Sequence, residues 1–374
     1  MRPTSVADAA ELIRKLADDG RTVRPAGAGS RAGWGGTDPQ GTVAVGTAAL
    51  DKVVAHNTGD FTAVFQAGVP LAAAQRALAA EGQWLAVDPP DAGGTIGGLV
   101  ATADSGPARH RYGGVRDLVI GITVVLCDGT IARSGGTVIK NVAGYDLGKL
   151  FVGSYGTLGL VAEVAVRLHP LPTRTATVLA ETGDPASLGA LALALSKRPL
   201  EAASLDAAWH DGRGRILLRF AGVTAPARAR AAAASVAATG PVGDATVVDD
   251  DDALWAAQRA GQRRPDGAVL KVSGLPTDLP VVIAAAEAAG AAVVSRAALG
   301  LSWLGFEGGD LADRLRAARA ALAPRACAVL DGAHLVDAPL PAPDPAVRAL
   351  AARVKSRFDP AGAMRPGVLV GGAG

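Results

Sequence analysis

"RPAGAGSRAGWGG", residues 24–36, decides the fold. Glycine and alanine dominate it, Pro25 stands near its start, and Trp34 is its bulky apolar side chain. Gly27, Gly29 and Gly33 come close to a dinucleotide-binding fingerprint. Three readings are open: a Rossmann phosphate loop, a plain structural turn, or a nest of main-chain N–H groups converging on an anion. A Rossmann loop leads from a strand into a helix whose N-terminus holds the pyrophosphate. Here the helix comes first. Val6, Ala9, Ala10, Ile13, Leu16 and Ala17 fall at helical spacing over residues 5–18. Ser5 and Asp8 give a start signal and Gly20 a stop. "TVRPAG" then reads as a short strand entering the loop, and the run from Trp34 to Pro39 cannot continue as a helix. The turn and the nest remain.

Two more glycine-rich clusters follow. "DPPDAGGTIGGLVATADSGPARHRYGGVRDLVIGITVVL", residues 88–126, sets Gly93, Gly94, Gly97, Gly98 and Gly106 among small side chains. That density lets backbone lie against a flat object. Apolar runs on either side of Asp128-Gly129 predict a hairpin. "TVIKNVAGYDLGKLFVGSYGTLGLVAEVAVRLHP", residues 137–170, predicts a helix near 145–151, a glycine turn and a Val/Ala strand.

In this order the three clusters resemble the FAD-linked oxidases of the vanillyl-alcohol-oxidase and p-cresol-methylhydroxylase (PCMH) type. The narrower likeness is to the FAD-binding E subunits of bacterial glycolate oxidases. "FDPAGAMRPGVLV" near the C-terminus resembles that family's closing segment, with Arg365 where asparagine is usual. The resemblance implies noncovalent FAD. Pro25, Ala26, Gly27, Ala28, Gly29 and Ser30 are expected to cradle the pyrophosphate. Pro89, Gly94, Thr95, Gly97, Gly98 and Ser105 are expected along the flavin ring and ribityl chain, Arg111, Tyr112 and Gly113 at the flavin edge, and Gly159, Leu160 and Val161 at the adenine half. His110 reads as a packing or surface histidine rather than a covalent flavin link.

The implied architecture is α+β: a PCMH-type FAD-binding domain of two α/β subdomains over 1–171, an α+β cap over 172–340 with an antiparallel sheet and helices on one face, and a segment 341–374 returning to the first domain. The chain's 374 residues suit that division, and 49% hydrophobic against 19% charged residues suits a packed globule. A net charge of +2, with signs interspersed, excludes a nucleic-acid footprint. Cys127 and Cys327 are too few for a disulfide framework or a cysteine-ligated cluster and fit a reducing compartment. With no signal peptide or transmembrane segment in view, the expected location is cytoplasmic, free or peripheral at the inner membrane face through partner subunits.

Oxidising a 2-hydroxy acid needs a cation for the carboxylate, a base for the hydroxyl proton and a flavin to take the hydride. Tyr145 and Lys149, four apart on the expected helix, and Arg111 are the catalytic candidates, with Lys140 and Arg109 nearby. No metal site is expected: the run Asp249 to Asp252 reads as a solvated helix start, and nothing around His334 forms a ligand set. The resemblance implies a glycolate oxidase-like 2-hydroxy-acid dehydrogenase working with a sister flavin subunit and an iron–sulfur subunit. A second reading is a non-catalytic subunit that carries flavin while its sister oxidises the substrate; an NADPH-using reductase of the cell-wall type is a third.

Overall fold

The computed structural model describes every residue except 91–92, 138–145, 240–244, 367 and 369–374. The chain begins with the expected helix, Val6–Asp18, and the Ser5 hydroxyl accepts the Asp8 N–H at 3.0 Å as its cap. Its inward face buries Ala9, Ala10, Ile13 and Leu16. Burial of each of the two larger side chains stabilises by about 1.5–3 kcal/mol. The strand Val23–Ala26 follows and pairs in parallel with Val43–Gly46. The glycine loop leaves from the end of that strand.

The second subdomain is an antiparallel sheet in the order Val53–Asn57, Thr62–Gln66, Leu160–Arg167, Val119–Val125, Ile131–Gly135. Its last two strands are the hairpin expected around Asp128-Gly129, where Gly129 takes φ +81°. The third cluster differs from expectation. Its helix is the single turn Gly148–Phe151 rather than 145–151, and Tyr145 and Lys140 lie outside the described residues.

The cap is an eight-stranded sheet with antiparallel pairings throughout, and Ala268–Ser273 sits between Leu301–Phe306 and Ala326–Val329. Side chains alternate across it. Ala176, Val178, Leu205, Ala207, Leu270 and Leu304 pack on one face beneath the helices Pro185–Ser196, Ala225–Thr239, Leu279–Ala288 and Leu311–Leu322. The other face carries Asp206, Arg219, Lys271, Arg296 and Trp303 towards the first domain. This is the expected PCMH-type α+β architecture. The helix Pro345–Phe358 returns to the first domain, where Val354 and Phe358 pack on its core and Lys355 donates to the Thr157 carbonyl at 2.7 Å.

The acidic run 249–252 is not uniformly solvated. Asp251 is 1% exposed, accepts from the hydroxyls of Thr175 and Thr177, and pairs with Arg219 at 2.6 Å. Asp252 opens the helix Asp252–Ala260. Trp255, wholly buried, donates to Thr177 Oγ1 at 2.7 Å, so its role is packing.

Candidate cofactor groove

The loop after Val23–Ala26 is held open by its own sequence. Gly29 sits at φ +80°, in the left-handed region that glycine enters without cost. A Cβ on Gly27 would stand 2.2 Å from Thr95 Oγ1, so that residue has no room for a side chain. The N–H groups of Gly27, Ala28, Gly29 and Ser30 find no acceptor among the described residues. Unmet main-chain donors turned to one side make an anion nest.

These donors line a groove. The second glycine cluster forms its opposite wall. Thr95 caps the short helix Ile96–Thr102 by accepting the Gly98 N–H at 3.2 Å. Close approach is built in here too: a Cβ on Gly97 would meet Ala67 Cβ at 2.6 Å. Tyr155, Gly156, Gly159 and Val161 come from the third cluster, and Arg365 from the returning C-terminal segment. The groove is lined by small residues and edged with the cations Arg24, Arg31 and Arg365. That suits a flat dinucleotide with a diphosphate at its middle.

The expected residues separate into two sets. Pro25 to Ser30, Gly94, Thr95, Gly97, Gly98, Gly159 and Val161 line the groove. Leu160 lies wholly buried in the core beside them. Pro89 and Tyr112 line a separate cavity between the domains, with Trp84 and Asp88. Gly113 packs against Asp117, and Ser105 is buried with its carbonyl accepting from the cap residue Gln262 at 3.0 Å. Arg111 points into a third recess with His110 and donates to the Glu201 carbonyl at 2.7 Å. Lys149 donates to the carbonyls of Arg116 and Val119, the latter at 2.8 Å. Lys149 and Arg111 therefore do not meet at the groove.

Sequence reasoning missed a charged constellation at the groove's cap side. Arg31 grips Asp104 through Nε at 2.7 Å and Nη2 at 2.6 Å, both side chains buried. Trp34 lies between two guanidinium groups, 5.6 Å from that of Arg31 and 5.3 Å from that of Arg263. Around Asp104 stand a phenol and a further cation. Burial, and then the Asp104 charge, raise the Tyr155 hydroxyl above its ordinary value. Burial lowers Lys271, with Asp104 opposing that shift and Arg109 adding to it. The Lys271 ammonium lies 5.8 Å from the Trp303 ring centre and makes no hydrogen bond or ion pair among the described residues. Among the described residues Arg109 makes one long hydrogen bond, 3.5 Å to Ser105 Oγ.

Comparison with known proteins agrees with this geometry. The family model described as "FAD binding domain" matches residues 1–135. FAD is the cofactor of this chain, and the groove's free N–H groups, small walls and cationic rim fit it. An uncharacterized FAD-linked oxidoreductase of Mycobacterium tuberculosis is 34% identical over 183 residues, 49% of this chain and 40% of that protein. Glycolate oxidase subunit GlcE of Escherichia coli is 41% identical over 122 residues, 32% of this chain and 35% of that protein. The matched part is thus well under half the length of these curated relatives. A solved alkyldihydroxyacetonephosphate synthase superposes with a TM-score of 0.74 at 14% identity, over 98% of this chain and 76% of that one, which shows the shared fold. Among the described residues no group of three His, Cys, Asp or Glu could hold a metal, and no helix is long and apolar enough to cross a membrane.

Proposed function

We propose that this FAD-linked protein acts on small 2-hydroxy acids of the glycolate and D-lactate type, as the FAD-binding subunit of a glycolate oxidase-like complex with a sister flavin subunit and an iron–sulfur subunit. The likeness to a glycolate oxidase subunit supports the class. The observation that carries the reading is Lys271: a half-buried ammonium beside the Trp303 ring, without a hydrogen bond or ion pair among the described residues and within the electrostatic reach of Asp104 and Arg109. When bound, FAD would supply a two-electron acceptor for the substrate's carbinol hydrogen. The protein's own residues would hold the substrate in place. Lys271 and Arg109 neutralise the substrate carboxylate, and the Trp303 face excludes water on one side. Asp104, held by Arg31, keeps a fixed negative charge that limits how far the positive patch attracts other anions. Lys149 and Arg111 are weaker candidates, because their nitrogens already serve backbone carbonyls.

The deciding experiment is anaerobic. The purified yellow chain is mixed with glycolate or D-lactate and its visible spectrum followed. Bleaching supports the dehydrogenase. An unchanged yellow spectrum supports a flavin-carrying subunit whose sister performs the oxidation. A colourless chain with no affinity for added FAD would defeat both.

A further inference from the structure

The returning C-terminal segment brings one side chain into the groove whose nitrogens are incompletely used. Met364 bridges to Val23 in parallel, and the Arg365 N–H donates to the Val23 carbonyl at 3.0 Å. That anchors Arg365 beside the strand that leads into the anion nest. Its backbone takes φ +42°, a left-handed conformation that non-glycine residues hold only when their surroundings impose it.

The guanidinium is oriented on two sides. Nε donates to Asp38 Oδ1 at 2.7 Å and Nη1 to the Tyr155 carbonyl at 3.1 Å. The third nitrogen, Nη2, is buried and finds no acceptor among the described residues, although Arg365 lines the groove and is only 5% exposed. Charge is unbalanced in the same place. Asp38 also meets Arg24, Nε to Oδ2 at 3.5 Å, so one carboxylate serves two guanidinium groups. A buried cation left without a counter-charge is costly, and a fixed fork with a spare N–H is suited to a phosphate oxygen.

We infer that Arg365 is a pyrophosphate-binding residue, which closes the groove from the C-terminal segment and adds a charged donor to the neutral main-chain nest of Gly27 to Ser30. The inference rests on FAD as the occupant. It gives a role to the position where arginine replaces the family's usual asparagine. A diphosphate answers the positive charge that two arginines and one aspartate leave unmatched, which a neutral adenine does not.

The test titrates the full-length apo-protein with FAD, FMN and riboflavin, following flavin fluorescence, for wild type, Arg365→Gln and Arg365→Lys. Arg365→Gln is expected to weaken FAD by about ten- to a hundredfold, the effect of a charged hydrogen bond. Riboflavin, which has no phosphate, is expected to bind the variant and wild type alike. Arg365→Lys keeps the charge and loses the fork, so its FAD affinity should fall between the two. Equal FAD affinity in wild type and Arg365→Gln overturns the inference. So does an equal loss for riboflavin, which would put the contact on the ring. If Arg365→Gln does not fold, as judged by circular dichroism of the apo-protein, Arg365→Lys carries the comparison, and unchanged FAD affinity in it is the overturning result. Failure of wild type to bind any flavin would sink the cofactor assignment itself and is therefore distinguishable.

Discussion

The Trp34 indole nitrogen donates to Asp331 Oδ1 at 3.1 Å, joining the glycine loop to the residue that follows the last strands of the cap. The same carboxylate takes Arg263 Nε at 2.9 and 3.2 Å and the Arg264 N–H at 2.7 Å. Removing it leaves the partly buried Arg263 guanidinium without its carboxylate and the buried Trp34 indole without an acceptor. Asp331→Ala should therefore destabilise by about 3–5 kcal/mol, read from urea unfolding, and should reduce FAD retention because Trp34 ends the cofactor loop. Full stability and flavin content in that variant would contradict the account.

Two glycines in the loop should fail for different reasons. Gly27→Ala collides with Thr95 Oγ1, so the loop must shift before any ligand arrives. Gly29→Asp meets open space but adds strain at φ +80° and a carboxylate beside the diphosphate. Both proteins should purify colourless, and Gly29→Asp should retain near-normal secondary structure by circular dichroism. A yellow Gly29→Asp protein would remove the nest from the cofactor site.

Asp206 and Arg296 form a fully buried pair at 2.6 Å. Burial outweighs the arginine and pushes the Asp206 carboxyl up to about 6. Because the folded value lies above the unfolded one, the folded state binds the extra proton between the two. That contribution is complete below about pH 4 and lost as pH rises through about 6, on the order of 3 kcal/mol. Asp88, pushed to about 6 mainly by burial, works in the same direction. The slope of unfolding free energy against pH over this window should become flatter in Asp206→Asn than in wild type, after the constant offset from stranding Arg296. Parallel slopes would reject it.

Lys271→Met should leave FAD content unchanged while lowering kcat/KM for 2-hydroxy acids by about ten- to a hundredfold, chiefly through KM. Steady-state kinetics with an artificial electron acceptor would show it. An unaltered KM would remove Lys271 from the substrate site.

The glycine loop could be read from sequence because the order of helix, strand and loop is local, and so is the strain that only glycine relieves. The Asp128-Gly129 hairpin and the helix-on-one-face cap were legible for the same reason: turn chemistry and period are written in neighbouring residues. The charged constellation was not. Lys271 and Trp303 lie on adjacent strands only after the sheet forms, and Arg365 reaches Asp38 across 327 positions. A helix over 145–151 would set Tyr145 and Lys149 on one face. The described helix has one turn, and tertiary contacts direct Lys149 to the carbonyls of Arg116 and Val119.

The short segment after the helix Asp252–Ala260 has a further consequence. Gln262 and Arg263 donate to the carbonyls of Ser105 and Ser30, bolting the lid to both loops that flank the cofactor. Swinging the cap clear as a hinge would first have to break both bonds, at about 0.5–1.5 kcal/mol each, so the two contacts bias the cap towards its closed register.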